Sequence, residues 1–176
     1  MVMMHSDDHG LVLPPKIASV QCALIGMKNS FKSIRTSSNI KKSEAMLKGI
    51  PLVIEKSDKD YVITRRDTLE EIKVKNISEK SIQTLLDKIQ ANLFSKAKKF
   101  KASHTFYPKN YEEFTEVVKN CRGFVIAPWC SDEACAKQIR NEALASLRIV
   151  NPIKKKSVCI KCCKNAVYEG IFGQSY

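Results

Sequence analysis

The cysteines near the C-terminal end are the residues whose type and spacing best predict chemistry. Seven cysteines occur among 176 residues, and four of them form two close pairs. Cys130 and Cys135 form a C-x4-C pair, and Cys159 and Cys162 form a C-x2-C pair. Two such pairs, brought together by the fold, can surround one ion with four thiolates, which are soft ligands suited to zinc. The spacing predicts a structural zinc site with no open coordination position.

Two other interpretations of these cysteines remain open. One is a set of reduced, buried thiols without a metal. The other is a thioredoxin-like redox role for "CIKC", although such a motif needs a helix after it, and a strand pattern follows here. Cys163 is predicted to be a bystander, because residues adjacent in sequence, such as Cys162 and Cys163, rarely bind one ion with good geometry. Cys22 and Cys121 are predicted to be core residues.

The N-terminal run "HSDDHG" offers a second group of polar side chains. His5, Asp7, Asp8 and His9 together could form a metal or acid–base cluster. The more common role of such a run is a turn, which here leads into "GLVLPP". The sequence contains neither a glycine-rich phosphate loop nor a convincing Ser/His/Asp order. The residues themselves therefore predict no catalytic site.

The charge balance indicates the kind of partner. Thirty Lys and Arg stand against eighteen Asp and Glu, a net charge of +12, which favours a polyanion such as nucleic acid. The alternative is a surface kept soluble by lysines. A hydrophobic share of 44% predicts a packed core. There is no run of about 18 apolar residues and no secretion signal, so we expect no membrane span and a reducing compartment.

Hydrophobic periodicity predicts alternating strands and helices, and therefore an α/β or α+β chain of two small domains. Ser78 is predicted to cap a long amphipathic helix that ends near Lys99, and "KAKKFKASH" is predicted to be a linker. Asn110 with Glu113, and then Ser131, are predicted to open two further helices. A short helix is expected at 43–47. The predicted strands are 17–25, 50–56, 61–67, 70–75, 123–129, 147–150 and 166–172.

Several segments together resemble one family. "HSDDHGLVLPPKIASVQ", "LKGIPLVIE", "RRDT", "IQANLF", "APWCSDEAC", "VCIKCCKNA" and "FGQSY" occur in the order found in the C-terminal part of prolyl-tRNA synthetases of the archaeal/eukaryotic-like type. The likeness covers nearly the whole chain. It implies a remnant of the class II catalytic domain at 1–16, an anticodon-binding domain at 17–101, and a C-terminal zinc-binding domain at 102–176. The implied fold is a mixed five-stranded sheet with flanking helices, followed by a small α+β domain.

The resemblance also implies a role in binding tRNA(Pro). The positions that match the family's anticodon contacts are Lys48, Glu55, Lys59 and Asp60, and the expected contacts to the tRNA backbone are Lys41 and Lys42. Zinc on Cys130, Cys135, Cys159 and Cys162 is the implied cofactor. The family's ATP and proline sites belong to the catalytic domain, so we expect no aminoacylation by this chain alone and ATP only in a full-length parent enzyme. A cytoplasmic location and a homodimer through that domain are likewise expected.

The sequence departs from the family pattern at three places. Met46 and Val53 stand where the family has an acidic and a basic residue near the anticodon. The segment between Ile25 and Lys41 is shorter than the family's helix and strand, which leaves two interpretations open: a sheet that lacks a strand, or a miscoded stretch. These departures support an alternative interpretation, a zinc-stabilised interaction or scaffold module that has lost tRNA recognition.

Overall fold

The computed structural model describes residues 6–28, 31–121, 123–153 and 155–174. The chain divides into two compact units, with the boundary between Lys96 and Ala97. Each unit has its own hydrophobic core. The domain bounds 1–16, 17–101 and 102–176 stay predictions.

The first unit begins with a small antiparallel hairpin and continues into a mixed five-stranded sheet. The hairpin strands are β1 (Ser6–Asp7) and β2 (Gly10–Leu11). The sheet strands are β3 (Cys22–Ile25), β4 (Thr36–Ser37), β5 (Leu52–Lys56), β6 (Tyr61–Arg65) and β7 (Glu71–Val74). Their order is β4-β3-β5-β6-β7, with β3 parallel to β4 and β5 and the rest antiparallel. The predicted mixed five-stranded sheet is confirmed.

Two details of this sheet differ from the sequence prediction. The strand expected at 17–25 begins only at Cys22, because the N–H groups of Ile17 and Ala18 donate to the carbonyl of Pro14 at 3.0 and 3.1 Å and form a turn. The shortened segment after Ile25 still supplies β4, which pairs with β3 over two residues. The expectation of a missing strand is therefore wrong.

One helix and most of a second belong to the first unit. Helix α1 spans Lys42–Leu47, close to the predicted helix, and α2 spans Glu79–Ser103. The Ser78 hydroxyl accepts the N–H of Ser81 at 3.1 Å, so the predicted cap is confirmed. The predicted linker "KAKKFKASH" is wrong, since α2 continues to Ser103. That stretch contains helix-favouring lysines and alanines and neither glycine nor proline.

The second unit is a four-stranded mixed sheet with two helices. Its elements are β8 (Thr105–Phe106), α3 (Tyr111–Asn120), β9 (Phe124–Trp129), α4 (Glu133–Ala143), β10 (Ala145–Pro152) and β11 (Tyr168–Gln174). The strand order is β10-β11-β9-β8. Phe114 of α3 and Phe172 of β11 meet edge to face at 5.2 Å between ring centroids, at the centre of the core. This is the small α+β domain that the sequence predicts.

Local sequence signals predict one of the two helix starts in the second unit correctly. Asn110 caps α3 as predicted, since its side chain accepts the N–H of Glu113 at 2.8 Å. Ser131 is not the cap of α4. Asp132 takes that role by accepting the N–H of Ala134 at 2.9 Å, while Ser131 has a φ of 65° in the turn before it. Cys22 is fully buried as predicted, but Cys121 lies half-buried at the end of α3.

Candidate functional site

Four cysteine sulfurs of the second unit converge on one point. The Sγ atoms of Cys130, Cys135, Cys159 and Cys162 all lie within 4.8 Å of one another. The Cys135 and Cys159 sulfurs are 3.7 Å apart, and the Cys130 and Cys162 sulfurs are 3.5 Å apart. Four thiolates about 2.3 Å from a tetrahedral zinc would be separated by about 3.8 Å. The residues fit a four-coordinate metal ion, and the fold brings together the two pairs predicted to share it.

Rigid elements position the two halves of this cluster. Cys130 directly follows β9, and Cys135 lies in the first turn of α4. Cys159 and Cys162 lie in the turn between β10 and β11, which we call the metal loop (residues 158–165). Its ends pair through a bridge between Val158 and Asn165. Within it, the N–H of Cys159 donates to the carbonyl of Lys164 at 2.7 Å, and the N–H of Ile160 donates to the carbonyl of Pro128 at 3.0 Å. These bonds fix the metal loop against the end of β9.

The environment acts differently on the individual thiols. Burial raises the pKa of Cys130 and Cys135. Burial also acts to raise the pKa of Cys159, but the backbone N–H groups of Cys162, Lys161 and Cys130 donate to its sulfur and bring the pKa down to about 7. Backbone donors aimed at sulfur stabilise the thiolate, which is the form that binds a metal. Cys159 is thus prepared to carry negative charge.

Cys163 lies outside this cluster. Its side chain is exposed, and its backbone has a φ of 57°, in the left-handed region. The N–H of Cys163 donates to the carbonyl of Cys159 at 3.1 Å, so its backbone closes the turn that carries the C-x2-C pair.

The six residues predicted to contact tRNA lie in two places of the first unit. Lys41 precedes α1, Lys42 begins it and Lys48 follows it, whereas Glu55 lies in β5 and Lys59 with Asp60 lies in the turn after β5. The structure joins two of them, because Lys42 Nζ bonds to Glu55 at 2.8 Å and to Glu71 at 2.7 Å. These bonds raise the pKa of Lys42, the one to Glu55 most. Lys48 pairs with Glu44 at 2.6 Å.

A groove that the sequence prediction missed lies beside the turn carrying Lys59 and Asp60. It forms where β3 and the β5–β6 hairpin end at the same edge of the sheet. Its lining residues are Gly26, Met27, Lys28, Lys56 and Tyr61. The sequence predicts the strands that border this groove, but not their order. Parallel neighbours such as β3 and β5 end at one edge of a sheet, and a hairpin partner lies beside them. The groove can therefore be predicted only once the strand order is known.

Met46 and Val53, which the sequence resemblance predicts to lie near the anticodon, have different surroundings. Val53 is fully buried and packs with Ala23, Ala45 and Ile50. Met46 is half-buried, and its carbonyl accepts a hydrogen bond from Arg66 at 3.0 Å. Val53 therefore supplies packing in the core of the first unit.

The N-terminal polar run forms a turn in the described residues. Asp7 accepts two hydrogen bonds from Arg66, at 2.8 and 2.5 Å, and one from the N–H of His9 at 2.9 Å. The bond from Arg66 lowers the pKa of Asp7 to about 2. Asp8 and His9 are exposed at the tip of the β1–β2 hairpin, and His5 lies outside the described residues. The Asp7 carboxylate thus forms an ion pair with Arg66.

Within the described ranges, no helix combines the length and the apolar character that crossing a membrane requires.

Comparison with known proteins gives a family match within the second unit. Residues 111–176 match the family model described as "Prolyl-tRNA synthetase, C-terminal". This segment is a prolyl-tRNA synthetase C-terminal domain. The prolyl-tRNA synthetase resemblance predicted from the sequence is thereby confirmed, while the archaeal/eukaryotic-like type stays a prediction. The terminal Tyr176, part of the "FGQSY" motif, lies outside the described residues.

The likeness to prolyl-tRNA synthetases extends over both units. The chain is 32% identical to the proline–tRNA ligase of Lachnospira eligens over 208 aligned residues, which cover 100% of this chain and 43% of that protein. It is 31% identical to proline–tRNA ligase 2 of Bacillus cereus, with 100% and 43% covered. The proline–tRNA ligase of Chlorobium phaeobacteroides is 32% identical, with 100% and 45% covered. The chain therefore spans less than half the length of these relatives.

Proposed function

We propose that this chain binds tRNA as the C-terminal portion of a proline–tRNA ligase, in the cytoplasm, with tRNA(Pro) as its preferred RNA. The observation that carries the proposal is the likeness to proline–tRNA ligases over 100% of the chain, covering both the five-stranded unit and the C-terminal domain. The parent activity would be ATP-dependent ligation of proline to tRNA, on a longer protein. The alternative, an interaction module without RNA, is not favoured by these relatives.

The first unit supplies the proposed anticodon surface. Unpaired RNA bases are bound by stacking on aromatic or planar side chains and by polar contacts, with lysines on the phosphates. Lys59 is exposed, Asp60 is half-buried, and both lie in the turn beside the groove that carries Lys28, Lys56 and Tyr61. This arrangement provides polar groups for bases next to cations for phosphates.

The predicted contacts differ in how free their side chains are. Lys42 is already bonded to Glu55 and Glu71, so a phosphate contact would compete with two carboxylates. No ion pair of Lys41 or Lys59 occurs within the part of the chain that the structure describes. We therefore propose Lys41 and Lys59 as the stronger contacts, and Lys42 chiefly as the partner that orients Glu55.

The second unit supplies the proposed metal site. We propose that Cys130, Cys135, Cys159 and Cys162 hold one zinc ion, which would be structural because all four positions are filled by sulfur. When bound, zinc would cross-link the start of α4 to the metal loop. The four thiols converge within 4.8 Å, and the N–H donors around Cys159 support its thiolate.

The RNA proposal is tested by measuring affinity for tRNA(Pro) and for the same tRNA with a changed anticodon. We expect a preference for the unchanged tRNA, and weaker binding to both as salt rises from about 50 to about 200 mM. Lys59→Ala should reduce the preference between the two tRNAs by about fivefold, since a base contact carries specificity. Lys41→Ala should weaken binding to both equally, as a phosphate contact does.

Lys80→Ala is the matched control, because it removes one exposed lysine of the same unit far from the turn in sequence. It should leave the preference unchanged. Equal affinity of the wild-type chain for the two tRNAs would mean that it binds RNA through charge alone, without a preference for the anticodon. Absence of binding to either tRNA would refute the proposal.

The metal proposal is tested by elemental analysis of protein purified without chelator. We expect one zinc per chain, falling to near zero in Cys135→Ser and staying near one in Cys163→Ser. A wild-type ratio near zero would count against zinc, and loss of metal in Cys163→Ser would show that the fifth cysteine takes part.

A further inference from the structure

Lys161 lies between two of the four cysteines, and its side chain reaches both helices of the second unit. Its Nζ is 4.0 Å from the centroid of the Tyr111 ring. The same Nζ donates a hydrogen bond to Oε2 of Glu142, and the Tyr111 hydroxyl donates to that oxygen at 2.9 Å. Only 19% of the Lys161 side chain is exposed. A lysine normally extends its ammonium group into water, so this side chain is unusually constrained.

The three side chains belong to three different elements. Tyr111 is the first residue of α3, Glu142 is near the end of α4, and Lys161 is in the metal loop. Helix α4 also carries Cys135 in its first turn. One rigid helix therefore holds both a cysteine of the cluster and the carboxylate that binds Lys161, which itself stands between Cys159 and Cys162.

The metal loop has a second attachment, which is made by its backbone. The N–H of Ile160 donates to the carbonyl of Pro128 at 3.0 Å, which holds the loop against β9 through the backbone alone. That bond does not depend on the Lys161 side chain. Loss of the side-chain contacts would leave the loop attached to β9, with the exposed Lys164–Asp132 pair still joining it to the start of the helix that carries Cys135.

We propose that Lys161, Glu142 and Tyr111 form a clamp that sets the Cys159–Cys162 half of the cluster against the Cys130–Cys135 half and so slows metal release. Lys161 is a positioning residue and not a ligand. Partners outside the ligand set orient the ligands and commonly alter metal affinity by about 10- to 100-fold. The proposal rests on the proposed metal site, because a clamp around four free thiols would have no metal to retain.

The experiment measures zinc release from the full chain to a chromophoric chelator in excess. Lys161→Met keeps the apolar stem and removes the charge, so we expect release about tenfold faster than in the wild type. Glu142→Gln should give a smaller increase, because the ammonium group still lies over the Tyr111 ring. Lys161→Arg retains a cation for both partners and should restore slow release. Cobalt-substituted protein should show a shifted d–d absorption band in Lys161→Met and not in Lys161→Arg, reporting altered ligand geometry.

Lys164→Met is the matched control in the same loop. Lys164 pairs with Asp132 at 3.6 Å, but 69% of its side chain is exposed, so its loss should leave zinc release unchanged. Should Lys161→Met fold too poorly to be purified, Glu142→Gln and Tyr111→Phe each remove one contact of the clamp. Their rates of zinc release then test the proposal. Release at the wild-type rate in the clamp variants, from a chain that does hold zinc, would overturn the clamp. A wild-type chain without metal would overturn the metal site and the clamp together.

Discussion

Cys163 carries a side chain where the backbone favours glycine. Its φ of 57° lies in the left-handed region, and its backbone closes the turn that holds Cys159 and Cys162. Because a Cβ atom in this conformation costs about 1 kcal/mol, we expect Cys163→Gly to raise the free energy of unfolding by up to that amount. Urea denaturation measures the difference.

Cys163→Ala is the control for that substitution. It removes the sulfur but keeps the Cβ atom, so it should not stabilise the protein. Both variants should retain the metal. If Cys163→Gly were no more stable than Cys163→Ala, backbone strain at this position would be negligible.

The Asp7–Arg66 ion pair should make stability depend on pH. Arg66 is buried and holds the pKa of Asp7 near 2, below the ordinary value of 3.8. A lowered folded-state pKa contributes stability that is present above pH 3.8 and is lost as the pH falls towards 2. Because 42% of the Asp7 side chain is exposed, we expect a contribution of no more than about 1 kcal/mol.

Asp7→Asn provides the comparison. At pH 6 the wild type should be the more stable protein, and near pH 2.5 the difference in free energy of unfolding should shrink towards zero. Acid release of a metal affects both proteins alike and cancels in the difference. A constant difference between the two pH values would show that protonation of Asp7 is not coupled to folding.

Sequence spacing predicted the cysteine cluster but not the Asp7–Arg66 pair, and the reason is distance along the chain. Cys130 and Cys135 are five positions apart, and Cys159 and Cys162 are three positions apart, so each half of the metal site is encoded locally. Asp7 and Arg66 are 59 positions apart, and their contact depends on how the β1–β2 hairpin packs. No local pattern records that packing.

At the scale of elements, helix α2 shows what a periodic pattern can and cannot predict. Its apolar positions Ile82, Leu86 and Ile89 are buried as the spacing predicts. Beyond Lys96 the apolar pattern weakens, and the sequence predicts a linker. The helix nonetheless continues to Ser103, because backbone propensity sustains it without a buried face. The end of an element is thus less predictable than its centre.

Asp67 ties α2 to the end of β6. Its side chain is fully buried and accepts hydrogen bonds from Arg65 at 3.1 and 2.9 Å and from Asn92 of α2 at 2.6 Å. Asp67→Ala would leave a largely buried guanidinium and an amide without their partner. We expect a loss of about 3 kcal/mol in the free energy of unfolding, measured by urea denaturation.

Glu70→Gln is the control for the Asp67 substitution. Glu70 also pairs with Arg65, at 3.6 Å, but 57% of its side chain is exposed. Its neutralisation should change the free energy of unfolding very little, since exposed pairs are screened by water. A similar loss in both variants would indicate that charge on Arg65, and not the buried network, decides stability.

For the whole molecule, the sequence predicted the fold class, but not the strand order. Local alternation identifies β5, β6 and β7 as neighbours, because short turns join them. The parallel pairing of β3 with both β4 and β5 depends on longer connections. The groove beside Lys59 results from that pairing, so this part of the proposed RNA surface was beyond sequence reasoning.

The two hydrophobic cores should respond differently to metal removal. The four cysteines and the core around Phe114 and Phe172 belong to the second unit, whereas the core around Leu24, Ile54 and Leu86 belongs to the first. Cys135 and Cys159 are themselves part of the second core, so an ion there would hold α4 and the metal loop together. A bound ion stabilises the cooperative unit that binds it, so its removal should loosen that unit first.

We therefore expect a chelator to increase amide hydrogen exchange in α4, the metal loop and β11, and to leave β3, β5 and β6 protected. Mass spectrometry of peptides from the full chain, with and without chelator, measures both units in one experiment. Cys135→Ser without chelator should reproduce the pattern of the chelated wild type. Equal loss of protection in the five-stranded sheet would mean that the two units unfold as one, and unchanged exchange in the second unit would mean that its core is stable without the metal.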